Sequence, residues 1–109
     1  HWPGALTIVA KRLHGDDPIH GGVTLGVRCP NPGWLRLLID QSGPVTGSSA
    51  NLHGVDTMLN AHDAAATLAV EVGHVIEGTS QGGLASTVLD ATGDSLIVLR
   101  EGAVDIKCD

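Results

Sequence analysis

The sequence predicts an α/β protein, an open twisted sheet of mixed strand direction with helices packed on it. Three observations predict this fold. Apolar residues make up 42% of the 109 residues, but Phe and Tyr are absent and only two Trp occur, so Val, Leu, Ile and Ala must build the core. Short β-favouring runs recur along the chain, and two helical stretches separate them. The aliphatic, Gly-rich composition suits a sheet covered by helices better than a coiled coil or a disordered tail. A chain of this length supports one core.

Trp2-Pro3-Gly4 is a breaker cluster, and the β-branched run Leu6-Thr7-Ile8-Val9-Ala10 after it reads as the first strand. Lys11 to Gly22, with glycines, aspartates and histidines, reads as a solvated loop. Val23 to Arg28 alternates in strand fashion, which puts Val23, Leu25 and Val27 on one face and Thr24, Gly26 and Arg28 on the other. Pro30 ends that strand. Asn31 then reads as an N-cap with Pro32 at the first helical position, opening a helix of Trp34, Leu35, Leu37, Leu38 and Ile39 that Ser42-Gly43-Pro44 stops. Val45-Thr46 is expected as a short strand. Asn60, with Asp63 three residues on, resembles a capping pair for an alanine-rich helix from Ala61 to about Val70, closed by Gly73. His74 to Glu77 reads as a short strand and Gly78 to Gly83 as a flexible loop. Ser86 to Asp90 and Leu96 to Arg100 read as strands, with Asp94 and Ser95 turning the chain between them.

The formal net charge is −6, and the six Lys and Arg are dispersed. Tight nucleic-acid binding relies on clustered cations, so this chain alone is not expected to grip tRNA or DNA. A small anion is a different matter, since one arginine can hold a carboxylate through two parallel hydrogen bonds. Cys29 and Cys108 form no CxxC pair and fit a reducing cytoplasm. Neither a signal peptide nor an apolar run of membrane-spanning length is visible. A start at His1, directly before a turn, is expected of a segment cut from a longer protein.

The stretch Gly47-Ser48-Ser49-Ala50-Asn51 reads as a strand end opening into a loop that a ligand can approach. Its side chains offer donors and acceptors, and the backbone N–H groups of Gly47 and Ala50 are expected to be uncovered, which suits a carboxylate or phosphate oxygen. His1, His14, His20, His53, His62 and His74 show no zinc-ligand spacing, so no metal site is assigned. The GxSxG elbow of a serine hydrolase and the GK[ST] ending of a phosphate-cradling loop are both missing. One device does repeat, a strand ending in small hydroxyl residues or arginine, at Thr24 with Arg28, at Thr46 to Asn51, at Ser86-Thr87 and at Arg100. Such ends are expected to converge on one crevice.

WPGALTIV (2–9), VTLGVRCP (23–30), GPVTGSSAN (43–51), ASTVLDATG (85–93) and VLREGAV (98–104) together resemble the YrdC/TsaC-like threonylcarbamoyl-AMP synthases, in the family's order and nearly end to end. The resemblance implies a YrdC-like fold, with residues 1–109 as the C-terminal portion of a single domain. It also implies a nucleotidyltransferase that makes threonylcarbamoyl-AMP and pyrophosphate from L-threonine, bicarbonate and ATP with Mg²⁺. That reaction is the first step of tRNA threonylcarbamoyladenosine modification, carried on with partner proteins in the cytoplasm.

Carried over by position, Thr24, Ser49, Asn51, Thr57 and Arg100 resemble ATP-binding residues. Arg28, Gly47 and Ser86 resemble those holding threonine. No residue is assigned as a nucleophile, because the carbamate of threonine would itself attack the α-phosphorus. The sequence departs from the family at Ala5, at His53-Gly54, and at Thr57 with Asp56 beside it. The family's KxR-bearing N-terminal half is not in this chain, so activity is expected to require it, and sheet edges and apolar helix faces are expected to lie open. Two other readings share the fold: the carbamoyl-adenylate-forming domain of a hydrogenase maturation carbamoyltransferase, and a non-catalytic nucleotide-binding remnant.

Overall fold

The first strand expected from the sequence forms as β1, Leu6–Lys11, and it is the strand on which the sheet is assembled. The computed structural model describes residues 1–13, 21–68 and 70–107. Most of the loop expected after Lys11, with His14 and His20, lies outside the described residues, as does Cys108. The chain divides into two units, His1–Pro44 with Leu84–Asp109, and Val45–Gly83, and each is described by itself.

In the first unit, β1 is joined by β2 (Thr24–Val27), β3 (Thr87–Asp90) and β4 (Ile97–Arg100) in the order β2-β1-β3-β4. β1 runs antiparallel to β2 and parallel to β3, and β3 runs antiparallel to β4, which is the expected mixed direction. Alternation along β1 turns Leu6 and Ile8 to one face and Thr7 and Val9 to the other. The register aligns Leu6 with Thr87 and Ile8 with Leu89. Leu6, Leu89 and Thr87 are the buried side chains among the described residues.

Thr87 is buried at little cost because both capacities of its hydroxyl are filled. Its Oγ1 donates to the Val104 carbonyl at 2.5 Å and accepts from the Val104 N–H at 3.0 Å. Ala103 N–H donates to the Ala85 carbonyl at 2.9 Å, so the segment after β4 runs beside the start of β3. Gly102 makes this approach possible. A side-chain carbon there would meet the Ala85 carbonyl oxygen and stand 2.5 Å from the Thr87 nitrogen.

The helix α1 (Gly33–Ser42) starts one residue later than expected. Pro32, not Asn31, occupies the cap position, and no side chain caps the helix; the Pro32 carbonyl accepts from Leu35 at 3.1 Å and Arg36 at 3.2 Å. The extended backbone of Pro32, with ψ 123°, postpones the helix to Gly33. The expected stop is present: Gly43 takes φ +81°, and its N–H donates to Ile39 at 2.8 Å. No residue of α1 is buried, and Trp34, Leu37 and Leu38 are 55%, 64% and 41% exposed. The apolar helix face is therefore open, as the sequence led one to expect.

In the second unit, α2 (Ala61–Thr67) is capped by Asn60, whose Oδ1 accepts from His62 at 2.9 Å and Asp63 at 3.3 Å. The cap is the expected one, but the helix ends at Thr67 rather than near Val70 or at Gly73. Leu68 is already extended, and the Thr67 hydroxyl turns back to the Ala64 carbonyl at 2.8 Å. Val45-Thr46 and His74 to Glu77 are irregular, not strands. A β-favouring run becomes a strand only where a neighbour supplies a ladder, and among the described residues this unit holds one isolated bridge, Asn60 to Thr79. Gly78 and Ser80 are tied to Ala61 and Leu59 by backbone hydrogen bonds of 3.0 and 2.8 Å.

Candidate functional site

The β1–β2 register sets Ile8 against Val27, which brings Arg28 level with Thr7 on the face that also carries Val9. On the other side of β1, the Thr7 and Ser86 hydroxyls share a hydrogen bond of 2.9 Å, although 79 residues separate them. Arg100 completes the row. Its Nη2 donates to the Ser86 carbonyl at 2.7 Å and to the Ser86 hydroxyl at 3.1 Å, and its Nε donates to the same carbonyl at 3.1 Å. Arg28, Thr7, Ser86 and Arg100 thus cross the sheet in sequence, at the end where β2 and β4 finish and β1 and β3 begin.

A slip in the β3–β4 register aims Arg100. Leu89 pairs with Val98 and Val88 with Arg100, so Leu99 is passed over. Such an irregularity re-aims the side chains beyond it. At the other edge, Arg28 Nε donates to the Gly4 carbonyl at 2.7 Å, while the Gly4 N–H donates to the Cys29 carbonyl at 2.9 Å. Both Nη atoms of Arg28 are left without a partner among the described residues, as is Nη1 of Arg100, and neither guanidinium is ion-paired. An outward-facing guanidinium fork beside hydroxyls suits a carboxylate or a phosphate.

Thr24 lies on the same face but at the other end of the sheet, paired with Lys11. At about 3.3 Å per residue it stands roughly 13 Å along the strand from Arg28. The sheet therefore gathers Arg28, Ser86 and Arg100 and sets Thr24 apart. Thr7, which the sequence reading passed over as a β-branched strand residue, is the group that joins them. Its place on the Val9 and Lys11 face was the available signal.

Gly47, Ser49, Asn51 and Thr57 belong to the second unit. Gly47, Ser49 and Thr57 are exposed. The Ala50 N–H is not uncovered, contrary to expectation: it donates to Ser48 Oγ at 3.1 Å. This short-range bond accompanies an unusual left-handed Ala50, at φ +50°. Asn51 Nδ2 donates to the Leu52 carbonyl at 3.2 Å and the Val55 carbonyl at 2.6 Å, holding the turn that follows. Its Oδ1 is buried with no partner among the described residues.

A cleft of about 220 Å³ bounded by Thr87, Val98, Glu101, Val104, Asp105 and Ile106 includes none of the residues expected to touch a ligand. Its two carboxylates would repel an anion, so the arginine row is the better candidate. Among the described residues no three His, Cys, Asp or Glu side chains gather as metal ligands, and no helix is long and apolar enough to cross a membrane.

The family model Sua5/YciO/YrdC, described as telomere recombination, matches residues 1–102. The chain is 33% identical over 110 residues to the threonylcarbamoyl-AMP synthase of Bacillus subtilis (strain 168), covering 94% of this chain and 31% of that protein. It is 36% identical over 111 residues to the putative threonylcarbamoyl-AMP synthase of Mycobacterium tuberculosis (strain CDC 1551 / Oshkosh), covering 97% and 50%. The crystal structure of P. abyssi Sua5 complexed with L-threonine superposes with a TM-score of 0.80 at 31% identity, over 93% of this chain and 31% of that one. The chain spans 31 to 50% of the length of these relatives.

Proposed function

Because the chain belongs to the Sua5/YciO/YrdC family, we propose that its protein is a cytoplasmic threonylcarbamoyl-AMP synthase that uses L-threonine, bicarbonate and ATP and releases pyrophosphate. The observation that carries this reading is the Arg28, Thr7, Ser86, Arg100 row at one end of the sheet. The Nη pair of Arg28 forks onto the threonine carboxylate, to which the Ser86 hydroxyl also donates, and Gly47 is assigned to the amino acid by the resemblance alone. Arg100 serves ATP; Thr24, at the other end of the sheet, and Ser49, Asn51 and Thr57, in the second unit, are assigned to ATP by the resemblance alone. The likeness to a Sua5 complexed with L-threonine supports the amino-acid half of this assignment.

Threonine and bicarbonate give a carbamate with loss of water. A carbamate oxygen then attacks the α-phosphorus of ATP, and the bond to the bridging oxygen breaks, so that pyrophosphate departs with the electron pair. The protein's contribution is placement and charge, so the reaction calls for guanidinium groups and fixed hydroxyls rather than a nucleophilic side chain. The described residues gather no carboxylate cage for Mg²⁺. Mg²⁺ would be held by the ATP phosphates, commonly keeping much of its water, and would offset their charge. The product would pass to the partner proteins of tRNA threonylcarbamoyladenosine formation.

The deciding experiment measures pyrophosphate release by the full protein with ATP and bicarbonate, with and without L-threonine. Release that depends on L-threonine supports the reading. ATP binding without threonine-dependent turnover overturns it.

A further inference from the structure

We propose that Thr7 is a positioning residue, which fixes the direction in which Ser86 presents its hydroxyl proton to the carboxylate of an amino-acid ligand. The inference deepens the reading above and rests on it, since it takes Ser86 as a contact for L-threonine.

The argument is a count of protons and lone pairs. A serine hydroxyl has one proton to donate and two lone pairs to accept with. Arg100 Nη2, 3.1 Å from Ser86 Oγ, is always a donor and fills one lone pair. The 2.9 Å hydrogen bond between Thr7 Oγ1 and Ser86 Oγ can run either way. If Ser86 donates to Thr7, its proton is used up, and only a lone pair faces a ligand. If Thr7 donates, Ser86 accepts from Thr7 and Arg100 together, and its own proton is left to point at an acceptor. A carboxylate accepts only, so an anionic amino acid selects the second arrangement.

Thr7 is suited to that arrangement because its stiff side chain fixes where Oγ1 stands beside Ser86, while the O–H can turn to donate. β-Branching restricts χ1, and the methyl group rests over Gly26, 3.5 Å from where a side-chain carbon there would stand. With the methyl group seated against β2, the hydroxyl is turned toward β3. Thr7 is half-buried on an inner strand, away from the exposed edges.

The test uses the full protein, with Kd for L-threonine and for ATP measured separately by calorimetry. Thr7→Val keeps the shape and removes the hydroxyl; it should raise the threonine Kd about tenfold and leave the ATP Kd within about twofold. Thr7→Ser should restore threonine binding to within about threefold of the wild type. A double-mutant cycle supplies the readout that a merely structural role would not move: added to Ser86→Ala, Thr7→Val should cost nothing further. Thr7→Ala takes the place of the valine variant if that one does not fold. Wild-type threonine binding that Thr7→Val leaves unchanged, equal losses for both ligands, or full additivity with Ser86→Ala would overturn the inference alone. A wild-type protein that binds no L-threonine would overturn the functional reading, and this inference with it.

Discussion

Arg100 holds Ser86 by both its backbone and its side chain, through hydrogen bonds of 2.7 Å to the carbonyl and 3.1 Å to the hydroxyl from a single Nη2. The hold depends on the one-residue slip that sets Arg100 opposite Val88. One edge of the guanidinium is occupied in bracing the serine, and Nη1 remains for a ligand. Arg100→Ala is therefore expected to weaken ATP and L-threonine together, each by about tenfold, or about 1.4 kcal/mol. Arg100→Lys should recover part of the ATP affinity, which needs charge, but little of the threonine affinity, which needs the two-point brace. Titrating each ligand against the full-length variants checks this, and undiminished threonine binding in Arg100→Ala would show that the brace is idle.

Arg28 presents the opposite case, because its Nε is anchored on Gly4 and both Nη atoms face outward. The anchor sets the plane of the fork, and the fork does the binding. Arg28→Ala should raise the KM for L-threonine by at least tenfold and alter the KM for ATP far less. Arg28→Lys should resemble the alanine variant more than the wild type, since an ammonium cannot reproduce the paired hydrogen bonds. Steady-state pyrophosphate release with each substrate varied in turn makes the comparison, and a proportionate loss for both substrates would remove Arg28 from the threonine site.

What the sequence disclosed follows from how local each signal is. The runs at Leu6 to Ala10, Ser86 to Asp90 and Leu96 to Arg100 are bounded by breakers and became strands, and Asn60 needed only its own next turn to act as a cap. Val45-Thr46 and His74 to Glu77 have the same composition without a ladder partner, which no local pattern can reveal. Alternation correctly put Thr24 and Arg28 on one face, yet it says nothing about which end of a sheet a residue occupies. The pairing of Thr7 with Ser86 spans 79 residues and depends on β1 lying parallel to β3. Arg28, Ser86 and Arg100 were legible one by one, and their connection through Thr7 was not.

The motifs at 85–93 and 98–104 grip one another, and Gly102 is where they come closest. A methyl group there would press on the Ala85 carbonyl oxygen and lie 2.5 Å from the Thr87 nitrogen, both backbone atoms that cannot swing aside. Gly102→Ala should therefore force this segment away from β3 and break the double hydrogen bond between Thr87 and Val104. The expected loss is about 3 kcal/mol, at the upper end of ordinary overpacking. Urea unfolding of the full protein measures it, and an unchanged midpoint would mean that the close approach is not present in solution.

Asp90 closes the turn between β3 and β4, and its charge makes that turn sensitive to acid. The Thr92 side chain and then the Thr92 N–H, which donates to Asp90 Oδ1 at 2.8 Å, hold its carboxyl below the usual aspartate range, with Lys11 adding a smaller pull. A folded-state pKa lower than the unfolded one means that the unfolded chain takes up the proton first as the pH drops. The stabilisation is thus fully present above the ordinary aspartate pKa and is lost as the pH falls through the lowered one. Asp90→Asn should accordingly be less stable than the wild type near neutral pH, with the gap closing on acidification, because a protonated Asp90 no longer offers a carboxylate. Unfolding midpoints of the two proteins between neutral pH and about pH 3, spanning the aspartate range, test this. A gap that stays constant across that range would show that Asp90 acts by shape rather than by charge.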